Sequence, residues 1–165
     1  MPPRDVQQLV TILDSAYDRH SWHGTNLRGS IRRLPVELAA WRPAPNRHNI
    51  WEIAVHAAYW KYVARRRLTG EARGSFPLKG SNWFRRPQQL TDEAWRSDVA
   101  LLDAVHRSLR DAVTRLSKAA LLQTPVGSRV SNFAILSGVA AHDLYHAGQI
   151  QLLKVLFRGD TGGGP

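Results

Sequence analysis

Apolar residues recur at helical spacing through four long segments of this chain, and two of those apolar stripes carry histidine. In 49–69 the stripe reads Ile53, His56, Trp60 and Val63; in 131–157 it reads Ile135, Val139, His142, His146, Ile150 and Leu153. A stripe of this period is buried only if the segment is a helix laid against other helices, which takes the histidines inside with it. Two imidazoles four residues apart rise one above the other on a single helix face, so both can reach one ion at about 2.0 to 2.1 Å. A third imidazole from another helix completes a facial set, and the pattern predicts a metal site made of His56, His142 and His146.

The other two long helices emerge from the same period. Val6, Leu9, Val10, Leu13 and Tyr17 predict a helix over 5–18, with Asp5 and Gln8 as a capping box. A third stripe runs through Val99, Leu102, Val105, Leu109, Val113 and Leu116, and predicts a helix from a Thr91 cap to residue 116. The helix over 49–69 is capped by Asn49, with Glu52 reaching back, and stops before Gly70. Residues 20–48 are broken by glycine and proline and should hold only short helical turns, over 27–34 and 36–41. Residues 71–90 read as a long loop carrying Trp83, Phe84, Arg85 and Arg86, and 117–128 as a polar connection. The expected fold is all-α, an antiparallel four-helix bundle with long connections after its first and second helices. One domain over 1–158 and a flexible glycine-rich tail over 159–165 complete the expected organisation.

Composition narrows the chemistry. The chain of 165 residues can bury roughly 68 to 70 % of its unfolded surface, enough for one proper core. It has no cysteine, which excludes disulfides, thiolate metal sites and a cysteine nucleophile of its own. No apolar run approaches the roughly 20 residues that span a bilayer, and the opening MPPRDVQQLV lacks a signal-peptide pattern, so the cytoplasm is the expected location and no membrane partner is expected. The net charge is +10, and 19 of the 23 basic residues are arginines scattered along the chain. Their densest run, Arg65 to Arg67, falls in the last turn of a helix, where it complements the helix dipole. Without a nucleic-acid motif beside the charge, no specific nucleic acid is expected as a partner.

Neutral imidazoles suit Zn²⁺, Ni²⁺, Cu²⁺ or Fe²⁺, and the absence of sulfur argues against a closed structural site. The expected cofactor is a divalent ion, Zn²⁺ or Ni²⁺ ahead of Fe²⁺ or Mn²⁺. For His56 taken alone, a core histidine satisfied by a hydrogen bond is the favoured account, and the four-residue pair is what raises metal binding to even terms with it. Asp143 comes directly after His142 where a metalloprotease needs glutamate, so peptide hydrolysis is not supported. Gly138 and Gly148 bracket the histidine pair and point to close backbone approach or to space for a ligand. Gln149 can orient a ligand or make an interhelical hydrogen bond. His23 is a candidate catalytic acid or base, with a hydrogen-bonded loop histidine as the alternative. His106 reads as a core-boundary residue, His20 and His48 as element ends, and Glu52 as a cap. Asp143 reads as a group behind the ligands or a surface carboxylate. Trp83 with Arg85 and Arg86 can line a mouth for an anionic substrate.

The stretches WHG at 22–24, AAWRPAP at 39–45, NIWEIAVHAAYWKYVARRRLTG at 49–70, NWFRRP at 82–87 and GVAAHDLYHAGQIQLLK at 138–154 resemble the DinB-like family. The strongest element is a histidine in the second long helix combined with HxxxHxGQI in the last. The resemblance implies a four-helix bundle that holds a divalent metal on His56, His142 and His146. Several relatives are transferases or isomerases that use a low-molecular-weight thiol such as bacillithiol or mycothiol, and members frequently form dimers. For this chain the resemblance implies a metal-dependent enzyme acting on a small electrophile with a small-molecule thiol as partner, and a homodimer. Two other classes compete with it: a non-catalytic helical binding or dimerisation module with a structural metal or none, and a basic nucleic-acid-binding bundle.

Overall fold

The computed structural model describes residues 1–162, and among them it is all-helical, with no strand. Four long helices, α1 (Arg4–Tyr17), α4 (Ile50–Thr69), α5 (Asp92–Thr114) and α7 (Asn132–Gly162), carry the fold, with three short ones, α2 (Leu27–Ser30), α3 (Val36–Ala40) and α6 (Lys118–Leu122), in the connections. The chain marks most of these ends itself. Asn49 Oδ1 accepts from the Glu52 backbone N–H at 2.7 Å, Thr91 Oγ1 from that of Ala94 at 3.1 Å and Ser117 Oγ from that of Ala120 at 3.1 Å. Gly70 ends α4 in the left-handed region, at φ 73°, where a glycine has no Cβ to clash.

Three expectations shift. The capping box of Asp5 and Gln8 does not form: α1 starts at Arg4 behind Pro3, and Gln7 Nε2 donates to the Pro2 carbonyl at 2.6 Å. The connection after α5 holds the one-turn helix α6, too short to show a period in sequence. Helical structure carries α7 beyond Phe157 to Gly162, and the rest of the expected tail, 163–165, lies outside the described residues.

Helix α4 packs on α5 and α7, and α1 packs on α5 and α7, so each long helix touches two others. The apolar interior comes in two parts. One gathers Ile50 to Ala58 of α4, the α2 and α3 turns, Trp95 and Leu102 of α5, and Ile150 and Leu153 of α7. The other gathers α1 with Ala64, Leu109, Val113, Leu136 and Ala140. Between these stretches along α4, α5 and α7 fall Lys61, His106, His142, Asp143 and His146. A polar layer thus interrupts the core at mid-height. Buried polar groups are tolerated only with partners, so this layer is where chemistry is to be sought.

Candidate metal centre

His56 comes from the middle of α4 and is 5 % exposed; His146 of α7 is 3 % exposed, and His142, one turn before it, is half-buried. Their Nε2 atoms converge. His142 Nε2 lies 3.1 Å from that of His56 and 3.0 Å from that of His146. Bonds of about 2.0 to 2.1 Å to one ion, at about 90° to 110° from each other, set nitrogens about 2.9 to 3.4 Å apart. The three residues form a group able to hold a metal ion.

The outer ring nitrogens decide which proton sits where. His56 Nδ1 is 2.8 Å from the Asn82 carbonyl, which can only accept, so this nitrogen carries the proton. His146 Nδ1 likewise donates to Gln149 Oε1 at 2.7 Å. Both rings therefore turn an unprotonated Nε2 toward His142. A single N–H on His142 Nε2 can satisfy one of its two contacts and leaves the other as facing lone pairs, whereas a shared cation satisfies all three nitrogens. The donor set fits a divalent ion on this ground.

Burial acts in the same direction. It pushes His56 down from the usual imidazole range, against the pull of the Asn82 carbonyl. It pushes His142 down to about 3, with His146, His56 and Lys61 adding repulsion, and His146 down to about 4. Near neutral pH the three rings are uncharged and their lone pairs are free to ligate.

Behind the three histidines stands a second layer built largely by the loop over 71–90. Asn82 sits at φ 65°, a left-handed conformation that asparagine tolerates. Its carbonyl takes His56 Nδ1, and its Oδ1 accepts from Trp60 Nε1 at 2.9 Å. Trp83 is sandwiched between imidazoles, stacked at 3.6 Å on His48 and 3.8 Å on His56. The loop is tied down through Arg86, whose carbonyl accepts from Asn49 Nδ2 at 2.8 Å and Arg42 Nη2 at 3.1 Å and whose N–H donates to Glu52 Oε1 at 3.1 Å. Glu52 is 4 % exposed and takes a forked pair from Arg42 and a bond with His48 Nδ1 at 2.9 Å. Burial raises the Glu52 carboxyl, but the hydrogen bonds from Arg42, His48 and Arg86 prevail and hold it down at about 2. Glu52 is therefore a clamp between α4, the α3–α4 connection and the loop, in place of the expected reach back to its own helix end.

Asp143 is no surface carboxylate: it is fully buried and ion-paired to the equally buried Lys61 of α4. Asp143 points about 100° around α7 from His142, which in this packing aims it at α4 instead of at water. Lys61 also lies 4.7 Å over the Tyr17 ring. His106 is buried and stacked on Tyr17 at 3.7 Å, with no ring contact to the three histidines. His23 is exposed on the α1–α2 connection and, among the described residues, has no hydrogen bond or ring contact with the cluster. Arg86 spends its guanidinium on Asp98 at 2.7 Å, so it is not free to bind an anion at the mouth. A Cβ on Gly138 or Gly148 would meet nothing within 4 Å, so neither marks close backbone approach. Gly138 instead borders a mostly apolar hollow of about 240 Å³ that reaches His142 between α4 and α7.

Fold and site together define a class: an all-helical protein with a histidine cluster at its core that can hold a metal ion. Residues 19–150 match the family model of the DinB superfamily. This chain belongs to the DinB superfamily. Comparisons with curated proteins and with solved structures give no match.

Proposed function

We propose that the protein is a metal-dependent enzyme that adds a small nucleophile, a low-molecular-weight thiol foremost, to a small electrophile. The adduct is released as such in an addition, loses a leaving group to solvent in a transfer, or expels the thiol again in an isomerisation. His56, His142 and His146 are the ligands, mounted on an antiparallel four-helix bundle whose second and fourth long helices, α4 and α7, supply them. The observation that carries the reading is the convergence of three Nε2 atoms, with those of His56 and His146 left unprotonated because the Asn82 carbonyl and Gln149 draw their protons to the outer nitrogens. A divalent ion held by these three residues would supply Lewis acidity toward a sulfur or oxygen atom of a substrate.

The chain's own residues do the rest. Asn82 and Gln149 fix the tautomers and ring planes of His56 and His146, which keeps ligand orientation from being lost to rotation. Trp83 covers His56 on its loop side, while the hollow lined by Trp60, Val63, Ile135 and Gly138 leaves an approach beside His142. Its apolar lining favours a substrate body with little polar surface and limits water beside the centre. The missing cysteine means that the thiol is a co-substrate. His23 has no part in this scheme, since it is exposed and touches none of the three ligands. The test is addition of small thiols to model electrophiles by the metal-loaded protein, by the same protein after chelation, and by His56→Ala. A rate that needs both the metal and His56 supports the proposal; equal rates in all three samples contradict it.

A further inference from the structure

Beside the histidine cluster lies a larger groove that the metal centre does not use. It is a hollow of about 490 Å³ between the second half of α4 and residues 73–81 of the loop. Four cations border it, Arg66, Arg67, Arg73 and Lys79, and among the described residues no carboxylate does. Other arginines of the fold are matched to acids: Arg28 to Asp103, Arg42 to Glu52, Arg65 to Glu71, Arg86 to Asp98 and Arg110 to Asp14. Among the described residues Arg67, Arg73 and Lys79 have no hydrogen bond or ion pair. Arg66 makes one long bond, from Nη1 to the Glu71 carbonyl at 3.4 Å, and its Nε is buried without an acceptor.

The helix dipole explains why cations gather at the end of α4, but it offers their N–H groups no acceptors. Its charge of roughly −0.5 at that end is outweighed by the four unit charges around the groove. The remaining lining is aromatic. Tyr59, Tyr62 and Phe76 pack on one another at ring separations of 5.3 to 6.1 Å, and Trp60, whose indole N–H is taken by Asn82, joins them in the wall. Trp60, Val63 and Arg67 line both this groove and the hollow that reaches His142. Arg67 stands where the two adjoin.

We propose that this groove binds a planar organic anion. Its carboxylate or phosphate is held by Arg66 and Arg67, whose forked N–H groups match either head, and its body lies on the aromatic wall. The anion then stands at the side of His142, which gives the substrate of the reaction above a chemical class. Binding itself needs no metal; only the placement beside a reactive centre rests on the metal reading.

The probes are 2-naphthoate and 2-naphthyl phosphate, with neutral 2-naphthamide as comparison, titrated calorimetrically into the full chain with metal content measured on the same samples. Saturable one-to-one binding of either anion, about tenfold or more tighter than the amide, is expected, with a loss of about tenfold in Arg67→Gln and in Arg66→Gln. Arg107→Gln removes the same charge from an exposed position outside the groove and should leave binding within about twofold. Equal binding of amide and anions, equal loss in Arg107→Gln, or no saturable binding would overturn the inference. Failure to bind anions by protein that holds metal counts against the groove alone, and anion binding by protein that takes up no metal counts against the metal reading alone.

Discussion

At the residue scale the site depends on partners that set protons as much as on the three histidines. Gln149 touches the cluster only through His146 Nδ1, so Gln149→Ala frees that ring to rotate and to exchange tautomers. A weakening of metal affinity of about 10- to 100-fold is expected, read by competition with a chromophoric chelator, with the fold unchanged by circular dichroism. The Lys61–Asp143 pair obeys a different rule. Both groups are buried, Asp143 Oδ1 has no hydrogen-bond partner among the described residues, and burial raises the Asp143 carboxyl to about 6 against the pull of Lys61. Removing one partner strands the other charge in the core. Lys61→Met should cost about 3 to 5 kcal/mol in urea unfolding, whereas Lys61→Met with Asp143→Leu should recover most of that loss. A double variant no more stable than the single one would show that the pair does not act as a unit.

At the element scale the loop over 71–90 is part of the site because α4 grips it. Glu52 holds Arg42, His48 and the Arg86 N–H, and the loop in turn delivers Asn82 and Trp83 to His56. Glu52→Gln loses the charge that holds this clamp together. Amide exchange over 82–86 should speed up and metal binding should weaken, while α5 amides stay protected; an unchanged loop would mean that Asn49 and Trp83 suffice to hold it. The grip also shows where sequence reading stops. Asn49, Thr91 and Gly70 announced their helix ends because capping is local chemistry within a few residues. His142 and His146 were legible from their four-residue spacing and His56 from its stripe. Asn82 was not, because it acts through a backbone carbonyl that any residue type would present. Lys61 and Asp143 pair across 82 residues of chain, and no local period records which faces of α4 and α7 meet. Asp5 and Gln8 show the converse, a correct local signature overridden when the helix begins at Arg4.

At the scale of the whole molecule, two apolar clusters enclose a polar layer, and that layer makes stability depend on pH. Burial beside Lys61 and Arg110 pushes His106 down to about 3, and His142 and His146 are held down at about 3 and about 4 in the metal-free protein. In the unfolded chain these rings titrate near about 6.5. Between these values the unfolded state binds more protons, so the metal-free protein should lose stability as pH falls below about 6.5 toward 3. Glu52 adds to the loss between its ordinary value of 4.5 and about 2, and Asp143, raised to about 6, opposes it with one proton. Urea midpoints measured from pH 7 to pH 4 should fall, and less steeply in His106→Gln; a flat or rising profile contradicts this role of the layer.

The proposed metal centre has His56, His142 and His146 holding one ion. It is tested most directly by elemental mass spectrometry on tag-free protein beside His142→Ala, with circular dichroism to show that both are folded. About one equivalent of a divalent transition metal is expected in the parent, and its loss in the variant. A folded parent that takes up no metal after incubation with Zn²⁺ or Ni²⁺, or a variant that keeps the full equivalent, would contradict it.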